Sequence, residues 1–244
     1  MSILFYILAG TFGISLMAIL GIVALFIKDK ILEKILLLLV GLSAGALMGG
    51  AFLHLIPEAV EGTEGKLPYF LVIVGFLIFF LIEKFLHWRH CHKGVCEVHT
   101  FGYMNIVGDG VHNFIDGLII AASFMVDVNL GLVTLIAVAL HEIPQEVSDF
   151  GVLIYAGFNK FKALVLNFVA ALTVVLGGLV GYFIGVTEES IKFLLPLAAG
   201  GFIYIASSDL LPELKKEGRL LRFIASFAVF LLGIGLMVAL SYLE

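Results

Sequence analysis

The sequence predicts an all-α integral membrane protein of eight transmembrane helices, in which the first three and the last three form an inverted repeat around a central fourth and fifth pair. Three observations predict it. Of 244 residues, 61% are hydrophobic and only 14% charged, with mean hydropathy +1.15, whereas soluble domains are about a quarter charged. Apolar stretches of the length needed to cross a hydrocarbon core, about 20 residues for about 30 Å, follow one another along the whole chain. The densest polar clusters within such stretches fall in the fourth and fifth.

The spans are read at 3–27, 35–58, 68–86, 104–126, 130–156, 161–185, 191–211 and 221–243. The first begins apolar at Ile3, with no basic start and no small-residue cleavage site, so it reads as a retained span and not a removed signal. Connections are short, which makes residues 1–244 a single transmembrane domain. The longest, at about 87–103, has a composition of its own, with His87, His90, Cys91, His92, Cys96 and His99. Two cysteines are too few for a disulfide scaffold. In a reducing cytoplasm their thiols stay free to catch a metal ion, although their spacing matches no closed zinc module. All Lys and Arg except Lys66 and Lys192 follow an odd-numbered span, so the positive-inside rule puts those connections in the cytoplasm and both termini outside. The plasma membrane is the expected location. A net charge of -5 and a pI near 5.8 argue against a nucleic-acid partner and leave the lipid bilayer as the surroundings.

The repeat is carried by the second and seventh spans. His54-Leu55-Ile56-Pro57-Glu58 resembles Asp209-Leu210-Leu211-Pro212-Glu213, and each follows a Gly-Gly pair, Gly49-Gly50 and Gly200-Gly201. The two spans run in opposite directions, as in inverted-topology transporters with a midplane site. Glycines at four-residue spacing, Gly41, Gly45, Gly49 and Gly177, Gly181, Gly185, mark smooth faces for close helix packing.

The fourth and fifth spans hold His112-Asn113-Phe114-Ile115-Asp116-Gly117 and His141-Glu142-Ile143-Pro144-Gln145-Glu146. In each, candidate ligands occupy i, i+1 and i+4, so Asp116 lies under His112 and Asn113, and Gln145 under His141 and Glu142. At 1.5 Å per residue both clusters sit about 17–18 Å into the bilayer, near its middle. Ionisable groups there cost at least about 2.5 kcal/mol each. No Lys or Arg lies between Lys93 and Lys160 to neutralise them, so the missing positive charge is a metal ion or protons. Imidazole, carboxylate and carboxamide without thiolate suit Zn²⁺, Cd²⁺, Fe²⁺, Mn²⁺ or Co²⁺ as bound cargo, with no resident cofactor. Polar steps flank the cluster: Asn105, Asp109, Glu146 and Asp149 toward the cytoplasm, His54 and Glu58 on the outer side, and Asp209 and Glu213 at the inner end of the seventh span. That is a route with a site in it. Pro144 removes a backbone hydrogen bond inside the fifth span.

The two motifs resemble the paired signatures of the ZIP family of divalent-metal transporters, in particular the zinc-type branch whose fifth helix reads HEIPHE. The resemblance covers essentially the whole chain. It implies a passive or gradient-driven importer moving metal toward the cytoplasm by an elevator-like motion of one helix bundle against another, often as a homodimer. It also implies two adjoining metal sites, one of His112, Asp116, His141 and Gln145, the other of Asn113, Asp116, Glu142 and Gln145. Gln145 departs from the zinc-type pattern, which has His there, and bears on occupancy and metal preference. Where some members use an acidic residue of the sixth helix, this chain offers Asn167. The rival from another class is an intramembrane metal-dependent hydrolase, because His141-Glu142 begins like H-E-x-x-H. Gln145 stands where that motif needs its second His. A proton or alkali-cation carrier has no need of histidines paired with amides at this repeated spacing.

Overall fold

The computed structural model describes residues 2–20, 29–61, 65–90, 99–240 and 242, and these are helical with no strand among them. In chain order they form α1 (Ile3–Ser15), α2 (Asp29–Gly50), α3 (Ile56–Val60), α4 (Leu67–His90), α5 (Thr100–Val126), α6 (Val128–Tyr155), α7 (Lys160–Ala171), α8 (Thr173–Ile184), α9 (Glu188–Ile191), α10 (Leu195–Tyr204), α11 (Leu211–Lys216) and α12 (Leu220–Leu240). A lipid core offers no water to bond stray backbone groups, so an unbroken helix is the natural spanning unit.

Seven helical runs among the described residues are long and apolar enough to cross a membrane: Ile3–Leu20, Ile35–Val60, Leu67–Phe85, Val128–Tyr155, Lys160–Ile184, Leu195–Lys216 and Leu220–Ala239. Each coincides with an expected span. The remaining expected span is α5, whose 27 residues give about 40 Å of helix. It has the length. Asn105, Asp109, His112, Asn113 and Asp116 dilute its apolar character, and all five are buried.

The connection expected at 87–103 is shorter than its composition suggests. α4 continues to His90 and α5 begins at Thr100, because the first turn of α5 is packed: Phe101 is buried 6.1 Å from the Tyr155 ring, and His99 donates its backbone N–H to Ala156 O at 2.9 Å. Cys91, His92 and Cys96 lie outside the described residues, as do the side chains of His87 and His90.

The helices sort into two bundles. α5, α6, α7 and α8 pack together with α1, while α2 packs along α12 and α4 along α10. Within each bundle the backbones touch. A Cβ on Gly117 would lie 2.1 Å from Val174 O, and one on Gly45 would lie 2.1 Å from Phe230 O. Between bundles, glycines instead meet side chains, Gly151 against Leu39 and Gly108 against Ile205. Gly185, expected on a packing face, serves differently. It ends α8 in the left-handed conformation at φ 68°, and a Cβ added there would meet no atom within 4 Å.

Two π turns interrupt the transmembrane runs, Ala51–Leu55 before α3 and Ile205–Leu210 before α11. Each is followed by a proline near the start of the next helix, Pro57 and Pro212. A proline supplies no N–H to the carbonyl four residues earlier, which frees the preceding turn to widen. α6, by contrast, runs through Pro144 without a break.

The backbone contact at Gly117 sets a stability test. Gly117→Ala should cost about 1–3 kcal/mol by overpacking, whereas Gly235→Ala, with nothing within 4 Å, should be neutral or slightly stabilising. Thermal unfolding of the purified chain in detergent measures both, and equal midpoints would contradict the packing described.

Candidate metal centre

α5 and α6 are joined through Asp127 alone, whose carboxylate accepts hydrogen bonds from Asn129 N at 2.8 Å and Leu130 N at 3.3 Å and so caps α6. This tight reversal lays the helices antiparallel. Residues at similar distances from Asp127 then face each other, which brings the His112–Asp116 turn to the His141–Glu142 turn.

Four side chains converge. One ligand atom from each of His112, Asp116, His141 and Glu142 lies within 4.8 Å of the others. His141 Nε2 is 3.1 Å from Asp116 Oδ2, His112 Nε2 is 3.4 Å from Glu142 Oε1 and 3.5 Å from Asp116 Oδ2, and His141 Nε2 is 3.9 Å from Glu142 Oε1. Glu142 is 0% exposed and neither of its oxygens has a hydrogen-bond partner. Both ring nitrogens of His112 also lack one. Two imidazoles and two carboxylates at this separation form a nitrogen- and oxygen-donor set of the kind that zinc and its neighbours accept. The ring of Phe202 on α10 stands 5.0 Å from that of His112 and meets it from the other bundle.

The remaining expected residues fall around this centre in different ways. Asn113 is fully buried, and its amide donates to Asp109 Oδ1 at 2.9 Å and Asp109 O at 3.2 Å. Gln145 is buried one turn below His141, with its Nε2 unbonded. Asp149 accepts a hydrogen bond from Ser43 Oγ of α2 at 3.0 Å, and Asn105 also faces it. Glu146 accepts from Asn167 Nδ2 of α7, which also reaches Glu146 O at 3.4 Å. Just before α3, His54 Nε2 lies 3.0 Å from Met237 O on α12, and Glu58 is exposed. In α11, Glu213 is engaged by Tyr155 OH at 3.2 Å and Lys216 Nζ at 2.5 Å. Asp209 is buried with its Oδ2 unbonded.

Three contributors were not among the expected site residues. Ser43 sits in a Gly-Leu-Ser-Ala-Gly stretch that reads as helix packing, so nothing local signals its link to Asp149. Phe202 follows Gly200-Gly201, and its place against His112 depends on how the bundles meet. Glu83, which accepts from Tyr204 OH, sits beside Lys84 at a span end and looks like an interfacial charge.

The unpartnered Glu142 carboxylate predicts two effects of one substitution. Glu142→Gln should leave the metal-free unfolding midpoint unchanged or higher, because no hydrogen bond to Glu142 is lost and any charge it holds is removed. It should also shrink the stabilisation by zinc, which for a tight single site is about 2.7 kcal/mol at a hundred times Kd. Unfolding scans with chelator and with zinc test both; a parent-sized zinc shift in the variant would exclude Glu142 as a ligand.

Residues 3–99 and 89–241 match the family profile described as ZIP zinc transporter. The chain is 37% identical over 224 residues to zinc transporter ZIP13 of Pongo abelii, covering 83% of this chain and 66% of that protein. It is 33% identical to zinc transporter ZIP13 of Mus musculus over 253 residues, covering 83% and 69%, and 27% identical to zinc transporter zipt-7.1 of Caenorhabditis briggsae over 279 residues, covering 85% and 71%. The chain thus spans about two thirds of the length of these relatives.

Proposed function

Because the chain belongs to the ZIP zinc transporter family, we propose that it carries a divalent transition metal, zinc foremost, across a membrane toward the cytoplasm by alternating access at the centre between α5 and α6. One observation carries this reading. All four converging side chains come from two helices of one bundle, and Phe202 of the other stands against His112, 5.0 Å between ring centres. A cation held there travels with its bundle.

The packing supports an elevator-like displacement. Backbone-to-backbone contacts inside each bundle favour rigid units, and the side-chain contacts between bundles, Leu39 on Gly151 and Ile205 on Gly108, leave a surface that slides at lower cost. α5 completes an eight-span topology with both termini outside, since its polar face is turned inward and its length suffices. The paired π turns preceding Pro57 and Pro212 support an inverted repeat, with His54 and Asp209 at equivalent places.

The ligand set is His112, Asp116, His141 and Glu142, with Asn113 and Gln145 as further oxygen donors. Asp116 is the bridging group, because it lies one helical turn from both His112 and Asn113, and its Oδ2 also faces both imidazoles. Gln145 brings one oxygen and no charge, so it weakens the second position and broadens preference beyond zinc toward Cd²⁺, Fe²⁺, Mn²⁺ and Co²⁺. The hydrolase reading has no second histidine to complete its motif, and the family is one of transporters.

Uptake into proteoliposomes loaded with a zinc-sensitive dye tests the proposal. Asp116→Ala should abolish uptake, and uptake equal to the parent would reject the bridging role. Gln145→His should shift competition among Zn²⁺, Cd²⁺ and Fe²⁺ in favour of Zn²⁺; an unchanged order would mean that Gln145 does not touch the cargo.

A further inference from the structure

We propose that Asp109 is a positioning residue for the cation site, which acts by fixing the side-chain amide of Asn113 so that its oxygen, and not its NH₂, is the end offered to the metal. The proposal rests on the reading of the α5–α6 cluster as the transport site.

An amide has one end that attracts a cation and one that repels it, and the two are nearly equal in size. At an ordinary site, water satisfies either orientation. Asn113 is 0% exposed, so its orientation is decided by its protein neighbours. Those neighbours are Asp109 O at 3.2 Å, which only accepts, and Asp109 Oδ1 at 2.9 Å, which accepts the amide N–H. Turning the amide over would set its oxygen against two oxygens. The chemistry of Asp109 therefore selects the orientation, where geometry alone would leave it open. Asn113 Oδ1 is left buried and without a hydrogen-bond partner. It is an unpaired oxygen on the residue next in sequence to His112, one helical turn from Asp116.

The side chain of Asp109 supplies most of this selection. Its backbone carbonyl already serves the helix, and the side-chain bond to it is the longer of the two. Asp109 O only accepts, and Oδ1 accepts as well when the carboxylate is ionised or holds its proton on Oδ2. The same arrangement explains why a carboxylate is kept one turn from the cluster although it is outside the group whose atoms converge. Outer groups that orient ligands in this way change metal affinity by about 10–100-fold when removed.

The test measures zinc affinity of the purified full chain in detergent micelles by competition with a chromophoric chelator, together with the visible spectrum of the Co²⁺-loaded protein. Asp109→Ala should weaken zinc binding by about 10-fold, and its cobalt spectrum should match that of Asn113→Ala. Asp109→Asn, whose own amide can turn over and offer Asn113 either an acceptor or a donor, should also weaken zinc binding, and it serves if Asp109→Ala does not fold. The double variant Asp109→Ala, Asn113→Ala should bind no more weakly than Asn113→Ala alone, since one acts through the other. Additive losses would overturn the proposal by showing that Asp109 acts on the metal by itself and not through Asn113. If Asn113→Ala binds zinc like the parent while His141→Ala does not, the proposal fails and the site stands; if His112→Ala and His141→Ala both bind like the parent, the reading of the site itself fails.

Discussion

A carboxylate placed in an apolar interior must find a positive charge or enough hydrogen-bond donors, and much of this structure follows from how that need is met. No Lys or Arg lies between Lys93 and Lys160, the stretch that holds Asp109, Asp116, Glu142, Glu146 and Asp149. The chain answers with neutral donors. Ser43 serves Asp149, Asn113 serves Asp109 and Asn167 serves Glu146. Among the described residues Glu142 receives no such donor, and Asp116 is met by the imidazoles of His112 and His141 with Glu142 beside it. The outer carboxylates are thus tied down by amides and a hydroxyl, while the two central ones are left open to a cation.

This division of roles explains why the site draws on three spans beyond the two that carry the motifs. Ser43 comes from α2, Asn167 from α7 and Phe202 from α10. Thr173, at the join between α7 and α8, donates to Gly110 O at 2.7 Å, just before the His112 turn of α5. Backbone contact between α5 and α8 at Gly117 lies just beyond Asp116. Rigid support on both sides of the ligand turn keeps two acidic groups close together, which an isolated helix pair would resist. Preorganisation of this kind lets a metal bind without first reordering its ligands.

The spans are legible in the sequence because length and hydropathy are local properties, and every expected span has a helical counterpart within a few residues where the structure describes it. The ligand turns are legible for a related reason. Spacing of i, i+1 and i+4 fixes which side chains share a helix face, and an ionisable group in an apolar run stands out without any tertiary knowledge. Contacts between helices are not legible in this way. Ser43 and Asp149 are 106 residues apart, and a serine among glycines carries the signature of packing. The end of the 87–103 connection is misplaced by sequence because Thr100, Gly102 and Tyr103 look like loop residues; burial of Phe101 beside Tyr155, a tertiary fact, makes them helix. Gly185 shares its spacing with two packing glycines, yet a chain reversal at φ 68° needs the same residue for another reason.

Charge arithmetic then bears on the transport cycle that the proposed function requires. Two carboxylates and two neutral imidazoles around a dication would sum to zero, so a loaded centre would bring no net charge of its own to the contacts between bundles. If both carboxylates are ionised, the empty centre keeps two negative charges, with no Lys or Arg between Lys93 and Lys160 to balance them. Moving an unbalanced charge into a low-dielectric setting costs several kcal/mol even after relaxation, far more than sliding a few Leu and Ile side chains past glycine. In the proposed cycle the step that separates a loaded from an empty bundle would be the return, and its cost would lie in Asp116 and Glu142. The groups proposed to bind the cation would then also keep the empty bundle from crossing, which would tie movement of the bundle to the presence of a cation without any separate gate.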